Sequence, residues 1–307
     1  MSDDVRLHTV WDVVAGLRMR GRVNGRALAG DRGAPHVVMV HGLGMATDYL
    51  EPTMRALGDT MAVSALDLPG FGGSRHLVRQ PSADPSTALG TTQTVIPSER
   101  SESRDLHSDV IPSERSESRD LHAKAPLREL ADALIEWLHV RAIVGPILIG
   151  QSHGCQVVVE AVTHVPELAS AIVLNAPTMV AEHRSIGAQL WRVMLDSPRE
   201  PLSLVPHVLR DYWRAGPVRI LATLQDALRD RIEDKLPAVQ VPVLIVNGAR
   251  DPVSPPAWGE RLARLVGGAR YVVVPGAAHA VPFSHPQALA AEIVAMARRV
   301  EADRASR

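Results

Sequence analysis

A chain of 307 residues that is 46% hydrophobic holds one large α/β domain or two ordinary ones, with enough apolar surface for a core. Lys and Arg number 33 against 34 Asp and Glu, so a formal charge of −1 offers nothing to a polyanion, and no nucleic-acid partner is expected. No stretch approaches the ~20 apolar residues needed to span a bilayer, the acidic opening MSDDVRLHTV lacks an apolar targeting core, and the one cysteine, Cys155, cannot form an internal disulfide, so a soluble, cytoplasmic protein with no membrane partner is expected.

The first segment, LHTVWDVVAGLRMRGRVNGRAL, carries a hairpin turn signal at Val23-Asn24-Gly25-Arg26 and reads as an antiparallel strand pair leading a sheet. Short β-branched runs follow at 36–41, 61–67, 146–151, 171–176, 241–248 and 270–276. Near-continuous apolar runs of this kind belong to strands buried on both faces, as in a parallel sheet. Between them, residues 127–140 and 286–300 place apolar side chains at helical spacing, and the alternation describes a doubly wound α/β core over 1–178 and 241–307.

Two segments interrupt it. Within an inserted loop at 80–124, VIPSERSESRDLHSD at 95–109 recurs as VIPSERSESRDLHAK at 110–124, identical at the first 13 of 15 positions. Two copies dominated by Ser, Glu and Arg have no apolar face on which to stack, so the insert reads as an exposed, disordered loop. Residues 179–240 are too long for a simple connection and contain helical patterns punctuated by Pro201, Pro206 and Pro217, which describes a helical cap inserted after the sixth strand. Trp191, Tyr212 and Trp213 fall inside it and are candidates to line a pocket, Trp191 and Trp213 foremost, with packing of the cap onto the core as the alternative.

The chemistry centres on Gly150-Gln151-Ser152-His153-Gly154, a G-x-S-x-G pattern between an apolar strand and a helical run. Small flanking residues let the chain turn sharply with Ser152 exposed, and the helix N-terminus supplies amides for a developing oxyanion, the backbone N–H of His153 among them. A serine hydroxyl needs a base, itself oriented by an acid. Asp251 follows the strand at 241–248, and His279, 28 residues further on, follows the next strand, so both loops fall on the carboxyl edge of the sheet where ligands bind. His285 is the competing base, and Glu182 and Asp196 are the fallback acids, since position 175 after the sixth strand is asparagine. His41-Gly42-Leu43-Gly44, directly after a strand, offers the second oxyanion donor: Leu43 N–H first, Gly44 next.

The set HGLG, DLPGFGGS at 67–74, GQSHG, NGARD and GAAH, in this order, resembles the α/β-hydrolase superfamily in its capped, serine-nucleophile branch, over essentially the whole chain except 80–124. The resemblance implies a mostly parallel eight-stranded sheet, a cap after the sixth strand and a Ser–Asp–His triad at Ser152, Asp251 and His279. Cys155 stands where many relatives carry a further glycine. Fold alone does not fix the reaction.

The leading expectation is a carboxylic ester hydrolase that forms an acyl-enzyme on a small, apolar ester, with no metal and no organic cofactor. Substrate contacts are expected from Gly44, Trp191, Trp213 and Phe283. A carbon–carbon hydrolase of the ring-cleavage-product type is the alternative enzyme; it needs a cation for the distal carboxylate, for which Arg184, Arg192, Arg210, Arg214 and Arg219 are the candidates. A slow-turnover ligand receptor on the same scaffold is a third possibility. The sequence leaves the oligomeric state open.

Overall fold

The structure is a computed structural model describing residues 5–31, 33–58, 60–75 and 126–306. The whole inserted loop expected at 80–124, with its duplicated segment, lies outside the described residues.

Eight strands form one sheet: β1 Leu7–Val14, β2 Leu17–Asn24, β3 His36–Val40, β4 Ala62–Leu66, β5 Ile147–Gln151, β6 Ala171–Asn175, β7 Val243–Gly248 and β8 Arg270–Val274, in the order β1-β2-β4-β3-β5-β6-β7-β8. β1 and β2 pair antiparallel to each other, β2 pairs antiparallel to β4, and every pairing from β4 to β8 is parallel. The expected mostly parallel, eight-stranded, doubly wound sheet is therefore present.

Strand periodicity explains its burial. In β3, Val38 and Val40 face a layer containing helices Leu127–Val140 and His153–His164, while Val37 and Met39 face a layer containing helices Glu51–Leu57 and Pro286–Ala305. Successive side chains leave a strand on opposite faces, so a strand covered on both sides is apolar at most positions, and its polar residues, such as Ser64, Gln151, Asn175 and Asn247, are hydrogen-bonded. β4, β5, β6 and β7 are buried throughout. Each fully buried Val, Leu or Ile contributes about 1.5–3 kcal/mol relative to exposure. At the sheet edge, helix Leu127–Val140 is tied to β1 through Trp137, whose Nε1–H donates to Asp12 Oδ2 at 2.9 Å.

The hairpin turn differs from the expected position. β1 and β2 are joined at Ala15-Gly16, with φ of 48° and 78°, a left-handed pair that suits a two-residue hairpin turn. Asn24 instead caps the one-turn helix Gly25–Leu28, its Oδ1 accepting the Ala27 N–H at 3.0 Å.

The order of the sheet positions the site. The connection after β3 runs to β4 on one side and that after the neighbouring β5 runs to β6 on the other, so the two diverge and open a crevice at the carboxyl ends of β3 and β5. Between β6 and β7 the chain forms helices Ile186–Asp196, Val205–Ala215, Pro217–Arg229 and Ile232–Lys235, and the first three contribute residues to the cavity at this edge. Pro206 and Pro217 sit in the first turns of their helices, where a missing N–H costs nothing.

Candidate active site

Ser152 occupies the turn between β5 and helix His153–His164 with φ 56° and ψ −120°, a conformation that costs a residue with a side chain free energy and persists only when its surroundings enforce it. The enforcement is steric. A Cβ at Gly154 would lie 2.5 Å from the Val40 carbonyl oxygen, and one at Gly150 would lie 2.5 Å from the Gly154 carbonyl oxygen. Neither position tolerates a side chain, so the turn can close against β3 and lift the serine out. The Ser152 N–H donates to the Asn175 carbonyl at 2.9 Å, anchoring the turn to β6. Cys155 is buried, and its Sγ–H reaches the Gly150 and Asn175 carbonyls at 3.2 and 3.3 Å. Burial pushes that thiol well up, so it stays neutral and structural.

His279 Nε2 lies 3.0 Å from Ser152 Oγ, and its Nδ1 lies 2.8 Å from Asp251 Oδ2. The carboxylate is fixed from behind: Asp251 Oδ1 accepts the N–H groups of Val253 at 2.7 Å and Ser254 at 2.8 Å, which turns Oδ2 toward the ring. Ser254 is held in turn by Asn247 and by its own hydroxyl donating to the Pro177 carbonyl at 2.6 Å. With Asp251 on Nδ1, the tautomer that carries its proton there leaves Nε2 free to accept from the serine. Burial alone would push the imidazole down, but the Asp251 charge and hydrogen bond, followed by the charges of Asp196 and Glu200, raise it to about 9.

The loop after β3 is set by His41. Its Nε2 accepts the Leu68 N–H at 2.9 Å, which assigns the proton to Nδ1, and Nδ1–H donates to the Gly42 carbonyl at 2.8 Å. Burial pushes the pKa of this ring down, consistent with a neutral anchor. The Gly42 carbonyl also accepts the Met45 N–H at 3.2 Å. In a trans peptide the N–H opposes the C=O, so pinning Gly42 O on this side turns the Leu43 N–H to the other. Gly42 itself abuts the Ser152 turn: a Cβ there would lie 3.1 Å from Ser152 Cβ. Leu43 and His153 both line the cavity in which Ser152 and His279 stand. The His153 ring is buried and pushed down to about 4 by that burial, so it carries no charge.

That cavity measures about 390 Å³, in the range of small-molecule sites. Its floor includes Met45, Tyr49 and Ser152; its roof comes from the segment between β6 and β7, including Leu190, Val193, Leu209 and Leu224. Among the described residues no lysine or arginine lines it, and its carboxylates are Asp196 and Glu200.

Four expected substrate contacts are not brought to this cavity. Trp191 and Trp213 are 60% and 88% exposed, facing away from it. Phe283 packs edge-on to His207 with ring centroids 5.5 Å apart. Gly44, at φ 78°, lies under the Tyr212 ring, where a Cβ would come within 2.8 Å of Cε2. The aromatic residues on the cavity wall are Tyr49 and Tyr212, and Tyr49 Oη accepts the Gly42 N–H at 3.2 Å. The alternatives for base and acid also separate. His285 interacts with Ser284, Glu182 pairs with Arg261 at 2.5 Å on the surface, and Asp196 meets the backbone of His279 rather than its ring.

A sheet of this order, with a strained serine turn at its carboxyl edge, defines the α/β-hydrolase architecture. The chain belongs to the alpha/beta hydrolase family, whose model matches residues 37–292. Over 89 residues it is 39% identical to a pimeloyl-[acyl-carrier protein] methyl ester esterase of Neisseria meningitidis; that match covers 29% of this chain and about a third, 34%, of the relative. Among solved structures it superposes on a membrane phospholipase A described as a bacterial virulence factor, with a TM-score of 0.67 at 18% identity over 96% of this chain and 87% of the other. It also superposes on the enol-lactonase of Burkholderia xenovorans LB400, with a TM-score of 0.65 at 18% identity over 92% and 98% of the two chains. At such identity these two likenesses are of fold. Among the described residues no helix is long and apolar enough to cross a membrane.

Proposed function

We propose that this hydrolase cleaves uncharged carboxylic esters through an acyl-enzyme on Ser152. The observation that carries the reading is the continuous hydrogen-bonded line from Ser152 Oγ through His279 to Asp251, set in a cavity that no lysine or arginine lines among the described residues. Ser152 Oγ bonds to the ester carbonyl carbon as its proton passes to His279 Nε2, and the carbonyl electron pair moves to oxygen, where the N–H groups of Leu43 and His153 receive it. Collapse of that intermediate breaks the carbon–alkoxide bond, and the leaving oxygen takes the proton from Nε2. Water then repeats the sequence on the acyl-serine, releasing the acid and restoring the hydroxyl. Asp251 holds the ring in the required tautomer and stabilises the imidazolium. Residues 179–240 act as the cap, and the apolar character of Leu190, Val193, Leu209 and Leu224 suits an aliphatic acyl or alcohol group. The methyl ester named for the Neisseria relative is of the same uncharged class.

The cavity disfavours the carbon–carbon hydrolase alternative, because the arginines considered for its carboxylate are engaged elsewhere or turned outward. Arg184 pairs with Glu233 at 2.6 Å, Arg210 with Asp48 at 2.9 Å and Asp211 at 2.8 Å, and Arg192 donates to the Pro252 carbonyl. Arg219 lies over Gly70, and Arg214 is exposed. An anionic substrate would instead meet Asp196 and Glu200. We expect kcat/KM for uncharged short- to medium-chain esters to exceed that for a vinylogous diketone acid by at least tenfold, which corresponds to about 1.4 kcal/mol of transition-state discrimination. Both specificity constants measured at one pH decide the matter, and a faster diketone acid would overturn the ester reading.

A further inference from the structure

His279 is clamped through its main chain from two sides. On the core side, Gln151 Nε2 donates to the His279 carbonyl at 2.9 Å, and Gln151 Oε1 accepts from Asn175 at the end of β6. On the other side the contacts come from the segment between β6 and β7. Asp196, the last residue of helix Ile186–Asp196, accepts the His279 N–H on Oδ1 at 3.3 Å, and Glu200, four residues later, accepts the Ala280 N–H on Oε1 at 2.6 Å. Asp196 is only 7% exposed although it is a carboxylate, and both residues line the cavity. A carboxylate this deeply buried is expensive to keep, and its hydrogen bond to the His279 backbone is one contact that offsets the cost.

We propose that Asp196 and Glu200 position His279, so that the helical segment between β6 and β7 completes the proton-transfer site as well as roofing it. The proposal rests on His279 being the base, as argued above. The two carboxylates fix the backbone from which the imidazole reaches Ser152, and their charges act on the ring. A displacement of the helix that carries Asp196 therefore withdraws a support from the base.

The charged groups facing this imidazole are Asp251 from the loop after β7 and Asp196 and Glu200 from the roof; Arg192 is committed to the Pro252 carbonyl beside Asp251. Burial raises Asp196 to about 7, with Glu200 raising it further against the lowering effect of His279, and burial also raises Glu200. Each anion near the ring favours imidazolium, the form that cannot accept the serine proton, so removing one must lower the pH at which the base becomes available.

Four variants separate charge from support: Asp196→Asn and Glu200→Gln keep an acceptor oxygen and lose the charge, whereas Asp196→Ala and Glu200→Ala lose both. The amide variants are expected to keep kcat on the high-pH plateau within about threefold and to shift the acidic limb of kcat/KM to lower pH. Asp196→Ala is expected to lower plateau kcat by roughly tenfold or more with KM within about twofold, since a small displacement of a catalytic group costs rate and spares binding. NMR titration of the His279 ring in the full chain, with and without Asp196→Asn, reads the same coupling without any turnover and remains decisive if the alanine variants do not fold. An unchanged imidazole midpoint in Asp196→Asn overturns the proposal, as does an alanine variant that folds with unaltered kcat and pH profile. Full activity in His279→Ala would instead break the assignment of the base, and a wild-type chain inert to esters would break the functional reading; neither result depends on the roof variants.

Discussion

Ser152→Ala is expected to abolish ester turnover, with a loss of roughly 10³- to 10⁶-fold in kcat, because it removes the only atom in the line that can bond to the carbonyl carbon while the cavity and oxyanion donors persist. The geometry makes the substitution a clean one. The serine is held by its backbone, through N–H to Asn175 and through glycine contacts on both sides, so an alanine can take the same turn without moving its neighbours. Folding stability should stay near that of wild type, and a fluorophosphonate should label the wild-type chain at Ser152 and leave the variant unmodified. Residual labelling of the alanine variant at another residue would place the nucleophile elsewhere. His279→Ala should lose a comparable amount. Asp251→Asn should lose less than removal of the ring, since an amide can still contact Nδ1 but favours the wrong tautomer.

Much of this site was legible because each of its principal parts leaves a local trace. β3 to β8 begin and end within two residues of the apolar runs at 36–41, 61–67, 146–151, 171–176, 241–248 and 270–276, since a strand covered on both faces is mostly apolar along its length. Ser152, Asp251 and His279 each follow such a run, and a parallel sheet gathers everything that follows its strands on one edge. What stayed hidden depends on direction or on distant partners. Tyr212 and Trp213 are adjacent in one helix, yet consecutive helical residues point about 100° apart; Tyr212 reaches the cavity and Trp213 faces solvent. Composition records the aromatic cluster without its orientation. Asn24-Gly25 misled for a related reason: asparagine and glycine suit both a hairpin turn and a helix cap, and only the partner of Asn24 Oδ1 tells them apart. The Asp196 and Glu200 contacts join residues 83 and 80 positions apart through main-chain N–H groups, which no spacing rule announces.

Gly248→Ala is expected to damage stability and chemistry together, and the reason lies where β7 ends. A Cβ at Gly248 would lie 2.1 Å from the Ala278 carbonyl oxygen and 2.6 Å from that of Ala277, distances that no side-chain rotation can relieve because both atoms are backbone. This glycine is needed for close approach: the chain leading to His279 runs directly over the strand end leading to Asp251, and the Arg250 N–H donates to the Ala277 carbonyl at 2.9 Å in the same crossing. The methyl group must push the two connections apart by on the order of 1 Å, at a cost at or above the ~1–3 kcal/mol usual for overpacking a well-packed region, out of the ~5–15 kcal/mol that holds a typical domain together. The same displacement stretches the Asp251–His279 contact, now 2.8 Å, and misaligns the base with Ser152. A shift of that size costs roughly 10²-fold in rate even when every catalytic residue is present. The variant should therefore melt several degrees lower and, at a temperature where it is folded, show a kcat reduced by about that factor with fluorophosphonate labelling of Ser152 slowed in proportion. Wild-type kcat in a folded Gly248→Ala chain would mean that the Asp251–His279 contact tolerates displacement and that the rate does not depend on the close crossing of these two loops.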